Sequence, residues 1–354
     1  MNNNLTTAKS FVEQNKLQEA IDICKQILDS NHSSGDALKL IGICMLKLNR
    51  IDDAQIYLKK ALTANPNDYE VLKDLGNSYQ IKGEMNLAKD YYLKSISINS
   101  CYAPGLNNLG NVELIAGNKE IALPLLIKAT KADPDLIPAW ENLANCYSQL
   151  GKQVEAEEAI KTAIEINPNY AKTQLLLSSI LINQNKLKEA ETTLRKSITL
   201  KPDYFKAHLN LGIILKKFGN LTEAESCIRK SIELKPDLAD SYMTLAVVLR
   251  ELGRLKDAEI ETRKAIKLKP NFENAYNNLG SILKELGNIK ESEVCTRKAT
   301  EINPDFAIAH FNLGNTLKDI GQLEKAEESF RKATEVNPNF SEAYNNLGET
   351  QRAL

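Results

Sequence analysis

Asparagine side chains recur along this 354-residue chain at spacings of 34 residues or a multiple of 34. An asparagine amide offers one hydrogen-bond acceptor and two donors, which match the groups of a peptide bond. A row of such amides could hold an extended chain by its backbone, without regard to that chain's side chains. A neutral polar lining that keeps a surface soluble is the alternative interpretation. The residues, which we call the amide row, are Asn108, Asn142, Asn210, Asn278, Asn312 and Asn346, with Asn77, Asn111, Asn145 and Asn315 one helical turn further on in their repeats.

Basic side chains recur at the same spacing in the second half of the chain. They are Lys216, Arg250, Lys284 and Lys318. Evenly spaced cations beside amides would favour polar or acidic extended segments as ligands. Acidic neighbours such as Glu251 and Glu285 keep the local charge near zero. An ordinary charged helix surface therefore explains this pattern equally well.

The other titratable residues form no recognisable catalytic or metal-binding motif. The histidines His32, His208 and His310 lie in three separate repeats, and the last two occupy a position that packs in other repeats. No metal-ligand spacing, phosphate-binding loop or nucleophile motif is present. We therefore predict that the chain is not an enzyme and that it needs no cofactor.

A period of 34 residues governs the elements that must position these side chains. We number each repeat so that its recurrent proline is position 32; the repeats then begin at 1, 35, 69, 103, 137, 171, 205, 239, 273 and 307, and a half repeat covers 341–354. Proline cannot continue a helix, so it ends the second helix in the eight repeats that have it at position 32; His32 and Ser100 stand there in the other two. Position 15 is Gly or Asn in every full repeat, which predicts that each first helix ends there in left-handed backbone.

Small residues at positions 8 and 20 predict where the two helices of a repeat cross. Position 8 is always Gly, Ala or Ser, and position 20 is Ala in every full repeat except at Ser292. Small residues on facing helices let the two backbones approach closely. Together with the short loops, this predicts an all-α solenoid: about ten helix–turn–helix repeats plus one extra C-terminal helix, in a single domain over 1–354.

This pattern resembles the tetratricopeptide repeat along the whole chain. That family favours a large aromatic residue at position 4, as at Trp140, Tyr242, Tyr276 and Tyr344, together with small residues at 8, 20 and 27 and proline at 32. The resemblance implies a right-handed superhelix, with first helices lining a concave groove and second helices on the convex side. The amide row would then line the groove.

Two branches of the family offer more specific comparisons. The asparagine blocks around Asn278 and Asn312 look similar to the repeat arm of O-linked N-acetylglucosamine transferases. In those enzymes the asparagines contact the substrate backbone, and the arm precedes a catalytic region that these 354 residues lack. The carboxylate clamp of chaperone-binding members fits less well. Lys73, Asn77 and Asn108 match three of its five positions, but Pro138 and Asn142 stand where it needs cations.

We therefore predict a protein–protein interaction scaffold that binds an extended peptide or protein segment in the groove. Two alternatives stay open: a non-catalytic substrate-recognition arm of a longer glycosyltransferase or sulfotransferase, and a structural module that self-associates through its C-terminal helix. The formal net charge of −1 argues against a nucleic-acid or anionic-membrane partner. The chain starts without a signal-peptide pattern and has no apolar run that could span a bilayer, so we predict a cytoplasmic location.

Overall fold

A computed structural model describes residues 2–354, and this part of the chain is all-α, as predicted. It forms 21 helices and no β-strand. The helices fall into two compact units, the first ending at Asn185 and the second beginning at Lys186. The single domain over 1–354 and the right-handed superhelix both stay predictions.

The first unit contains eleven helices, in which odd numbers are the first helices of repeats and even numbers the second helices. Three residues separate the helices within a repeat and four separate one repeat from the next, as at 82–84 and 99–102. The helices are α1 (Asn2–Glu13), α2 (Leu17–Ser30), α3 (Gly35–Lys47), α4 (Ile51–Ala64), α5 (Tyr69–Ile81), α6 (Met85–Ile98), α7 (Ala103–Ile115), α8 (Lys119–Ala132), α9 (Ile137–Gln149), α10 (Gln153–Ile166) and α11 (Ala171–Asn183).

The second unit contains ten helices with the same alternation. Its last helix follows the last full repeat and packs against α20. Self-association through that helix stays a prediction. The helices are α12 (Leu187–Leu200), α13 (Phe205–Lys217), α14 (Leu221–Leu234), α15 (Ala239–Glu251), α16 (Leu255–Leu268), α17 (Glu273–Glu285), α18 (Ile289–Ile302), α19 (Ala307–Asp319), α20 (Leu323–Val336) and α21 (Ser341–Ala353).

Within each unit, consecutive helices pack together in chain order. Successive first helices also touch: α5 contacts α7, and α17 contacts α19. Side chains on neighbouring first helices can therefore reach each other directly. No helix in the described part of the chain is long and apolar enough to cross a membrane.

The prediction of left-handed backbone at position 15 is confirmed in all ten full repeats. The backbone φ angle is +79° at Gly83 and lies near +60° at Asn15, Asn49 and Asn185. A left-handed residue reverses the chain at the end of a first helix, so that the second helix can fold back against it. Glycine and asparagine tolerate this conformation better than other residues do.

Gly83→Ala is expected to lower the free energy of unfolding by about 1–2 kcal/mol, because a Cβ atom disfavours left-handed backbone. A Cβ at Gly83 would meet no atom within 4 Å, so steric clash does not contribute. Gly83→Asn should cost clearly less, since Asn49 adopts the same backbone. Urea unfolding of both variants tests this, and equal losses for Ala and Asn would contradict it.

The small residues at position 8 accommodate the side chain at position 24. A Cβ at Gly314 would lie 2.6 Å from Phe330 Cε1, and one at Gly42 would lie 2.6 Å from Leu58 Cγ. The backbones are also close at the crossing point predicted from positions 8 and 20. A Cβ at Gly212 would stand 3.2 Å from the carbonyl oxygen of Ala224. In these helix pairs a large side chain on the second helix thus lies over a small residue on the first.

Candidate functional site

The amide row of the first unit is hydrogen-bonded from one repeat to the next. Asn108 Nδ2 on α7 donates to Asn77 Oδ1 on α5 at 2.7 Å. Asn142 Nδ2 on α9 donates to Asn107 Oδ1 on α7 at 2.9 Å. In both cases the position-6 amide donates to an asparagine of the preceding repeat. The acceptor stands at position 9 in the first bond and at position 5 in the second.

The second unit repeats both geometries. Asn312 Nδ2 on α19 donates to Asn277 Oδ1 on α17 at 2.8 Å. Asn346 Nδ2 on α21 donates to Asn315 Oδ1 on α19 at 2.7 Å. The structure therefore joins six members of the amide row in inter-repeat bonds: Asn77, Asn108, Asn142, Asn312, Asn315 and Asn346.

Two acceptors, Asn107 and Asn277, were missed by the sequence analysis. Each stands at position 5 and forms an Asn-Asn doublet with the position-6 residue that follows it. The doublets could have drawn attention to position 5. However, position 5 holds leucine in three repeats (Leu5, Leu175 and Leu209), so it does not recur as an amide along the chain.

The other four members of the amide row lie outside these bonds. Asn278 is only 7% exposed, and its Nδ2 lies 3.3 Å from Thr262 Oγ1 on α16. Asn278 thus differs from the expectation that the amide row lines the groove: its side chain turns inward, because the small Thr262 leaves room and supplies an acceptor. Asn145 accepts from Gln149 Nε2 at 3.3 Å. Within the described residues, Asn111 and Asn210 are half-buried and have no side-chain hydrogen-bond partner.

The predicted basic residues are all paired with carboxylates of the following repeat. Lys216 Nζ lies 3.4 Å from Glu251, and Lys284 Nζ lies 2.8 Å from Asp319. Lys318 Nζ is 2.8 Å from Glu349, and the Arg250 guanidinium contacts Glu285. Pairs as exposed as these contribute little to stability individually. They do cancel the local charge, which weakens the expected preference for an acidic ligand.

Asp74 occupies position 6 of its repeat, the position at which six other repeats have an asparagine of the amide row. Its carboxylate contacts Lys73 Nζ and lies 3.4 Å from Asn77 Nδ2. Burial raises the pKa of the Asp74 carboxyl above its ordinary value, and the neighbouring Lys73 opposes that rise. The Tyr92 hydroxyl, from the core, lies 2.8 Å from Asn77 Oδ1. The amide row is therefore anchored to the interior at this end.

The histidines His208 and His310 contact backbone carbonyl oxygens. His208 Nε2 lies 2.8 Å from the carbonyl oxygen of Pro202, and His310 Nε2 lies 2.8 Å from that of Pro304. Trp140 Nε1, at the same repeat position, donates to Pro134 O at 2.8 Å. This position thus links a first helix to the proline before it. In the described part of the chain, no three His, Cys, Asp or Glu residues come together as metal ligands would.

Comparison with known protein families finds repeat models described as "Tetratricopeptide repeat" along most of the chain. They leave unmatched only residues 1–10, 101–136 and 341–354, although α7 and α8 form a helix pair within the middle gap. The matched segments are 11–77, 70–100, 137–170, 171–204, 205–238, 239–272, 273–306 and 307–340.

No curated protein matches the chain. A solved structure with 26% sequence identity is described as "Crystal structure of YrrB: a TPR protein with an unusual peptide-binding site". The match covers 53% of this chain and 97% of that one, with a TM-score of 0.44. The resemblance to the arm of O-linked N-acetylglucosamine transferases stays a prediction.

Proposed function

The chain belongs to the tetratricopeptide repeat family, and from this premise we propose that it is a non-catalytic scaffold that binds an extended peptide or protein segment along its first helices. One observation carries the proposal: amides of the amide row are hydrogen-bonded between consecutive repeats in both units. These bonds hold the amide groups in fixed orientations before any ligand arrives. A ligand then meets a preorganised surface, which reduces the entropy lost on binding.

The bonded amides keep hydrogen-bonding capacity for a ligand. A primary amide has two N–H donors and a carbonyl oxygen with two lone pairs. Asn142 and Asn312 each use one N–H for the neighbouring repeat, so each keeps a second N–H and its oxygen. These are the groups that a peptide backbone can pair with. Each such bond contributes about 1 kcal/mol net.

The packing of the first helices supports a continuous binding surface within each unit. Successive first helices touch one another, and the amide–amide bonds cross between them. An extended segment lying across the first helices would therefore meet amides from one repeat after another. We propose that this surface lines the concave groove that the family resemblance implies.

The charges on this surface favour a neutral or mixed-charge segment. Lys284 and Lys318 are neutralised by Asp319 and Glu349, so a strongly acidic ligand would have to compete with carboxylates already in place. The formal net charge of −1 gives no long-range attraction for nucleic acid. Backbone recognition by amides needs no ligand charge, which is consistent with this balance.

The proposal can be tested with peptides selected from a random display library on the immobilised full chain. If the amides hold the backbone, methylating a contacted backbone nitrogen of a selected peptide should weaken binding about fivefold. Alanine replacement of most peptide side chains should change the affinity less. Fluorescence anisotropy of labelled peptides gives both scans. The proposal would be contradicted if backbone N-methylation left the affinity unchanged while alanine replacement of the peptide side chains abolished binding.

A further inference from the structure

A cavity of about 350 Å³, lined mostly by residues with polar or charged side chains, lies in the second unit. Asn312 and Asn315 of the amide row line it, together with Ser281. Gly280 on α17 and Thr296 on α18 also line it. The cavity therefore adjoins the surface that we propose for backbone binding.

The cavity exists because this repeat has a small residue at position 24. In two other repeats with glycine at position 8, the corresponding residues, Ile228 and Phe330, are large and fully buried, and they fill the space beside that glycine. The preceding repeat also has a threonine there, Thr262, but its position 8 is alanine and the Asn278 side chain packs against the threonine. Here Thr296 Cγ2 reaches the side of Gly280, but threonine is too small to extend further. Threonine therefore fills less of the space beside the glycine than isoleucine or phenylalanine does in those repeats.

The walls of the cavity offer both donors and acceptors. Asn315 Oδ1 already accepts from Asn346, so its amide nitrogen is the group left to donate. Asn312 Nδ2 already donates to Asn277, which leaves the Asn312 oxygen as an acceptor. Ser281 Oγ donates to the backbone oxygen of Asn277 at 3.1 Å and can still accept. An occupant should therefore present a donor and an acceptor together.

The charges around the cavity exclude a charged occupant. Arg250 and Lys284 line it, but Arg250 is paired with Glu285 and Lys284 with Asp319. A carboxylate entering the cavity would compete with those acidic groups, and an ammonium group would meet the two cations. Burying an ion without a partner of its own is costly. An uncharged polar group meets neither obstacle.

We propose that this cavity receives the carboxamide side chain of an asparagine or glutamine in the bound segment. The inference rests on the proposed function, and it adds the element that sets the position of the ligand. Amides that recognise only a backbone allow the segment to shift by whole residues. A pocket in one repeat that binds one side chain determines which residue of the segment lies at Gly280.

The test compares peptides selected by the full wild-type chain with peptides selected by the Thr296→Ile variant. Isoleucine at this position imitates Ile228 and should fill the cavity. Wild-type selections should share an asparagine or glutamine at one aligned position, and Thr296→Ile selections should not. In a wild-type-selected peptide, replacing that residue with Ala, Glu or Lys should weaken binding about tenfold to the wild type and less than twofold to Thr296→Ile.

Asn315→Asp is a second variant, for use if Thr296→Ile does not fold. It keeps the acceptor for Asn346 but replaces the free amide donor with an acceptor, so the carboxamide preference should also disappear. Peptides that bind the wild type without any shared carboxamide would overturn this inference and leave the proposed function standing. A carboxamide preference that persists in a folded Thr296→Ile variant would also overturn this inference and leave the proposed function standing. Failure to recover any binding peptide would overturn both.

Discussion

Phe330→Ala is expected to destabilise the last full repeat by about 3–5 kcal/mol, among the largest effects of any single substitution in this chain. Phe330 is completely buried between α19 and α20, where it packs with Leu313, Leu317 and Phe311. Opposite it stands Gly314, which has no side chain that could move into the space. The cavity would therefore persist, and loss of packing around it adds to the lost burial of the ring.

Native-state hydrogen exchange should locate this effect. Amides of α19 and α20 should exchange faster in Phe330→Ala, because a repeat array can open locally without unfolding completely. Phe330→Leu is the matched control, since leucine fills the same position at Leu58, Leu126 and Leu194. It should cost clearly less. A loss below about 1 kcal/mol for Phe330→Ala would show that the repeat can collapse around Gly314.

Replacing Asn312, Asn315 and Asn346 together with alanine should weaken the binding of a library-selected peptide about a hundredfold. Three ligand hydrogen bonds of about 1 kcal/mol each account for that factor. Stability should change little, because these side chains are partly exposed and water can solvate the groups left behind. Asn278 is deliberately kept, since its side chain is buried and removing it would lose packing and a buried hydrogen bond to the Thr262 hydroxyl.

A control variant should carry alanine at Asn220 and Asn288. Both are exposed turn asparagines whose side chains make no helix-capping hydrogen bond. The control should bind the peptide as the wild type does. Titration by fluorescence anisotropy, with thermal unfolding of each variant alongside, separates a binding defect from a folding defect. A triple variant that binds within twofold of the wild type would rule out the amide row as the ligand contact.

The repeat architecture could be predicted from the sequence because its determinants are local. Left-handed backbone at Gly83 or Asn49 depends on the residue itself, and a helix ended by proline depends on a missing N–H. The small residue at position 8 opposite a larger one at position 24 follows from the pairing of adjacent helices. These features recur at 34-residue spacing in most of the repeats, so many copies supported each prediction. The right-handed winding of the superhelix, by contrast, depends on small rotations between consecutive repeats, and it stays a prediction.

Only the tertiary structure decided which polar side chains meet. Asn108 bonds to a residue 31 positions earlier, whereas Asn142 bonds to one 35 positions earlier. Both partners lie one repeat away, and the 34-residue period does not distinguish them. Position 5 accepts where it is an asparagine, as at Asn107, and position 9 accepts where position 5 is another residue, as at Lys73. The packing of the first helices is what brings both positions within reach of the same amide.

The same reason explains the residues whose surroundings the sequence did not reveal. Asn278 turned inward because Thr262, in the preceding repeat, is small and offers an oxygen. Lys284 is neutralised by Asp319, a residue of the following repeat. The sequence alone determined the helices, their turns and the row of amides, because short-range backbone and side-chain preferences specify them. The tertiary structure decided which amides and charges are already paired, because those contacts form only when neighbouring repeats pack together.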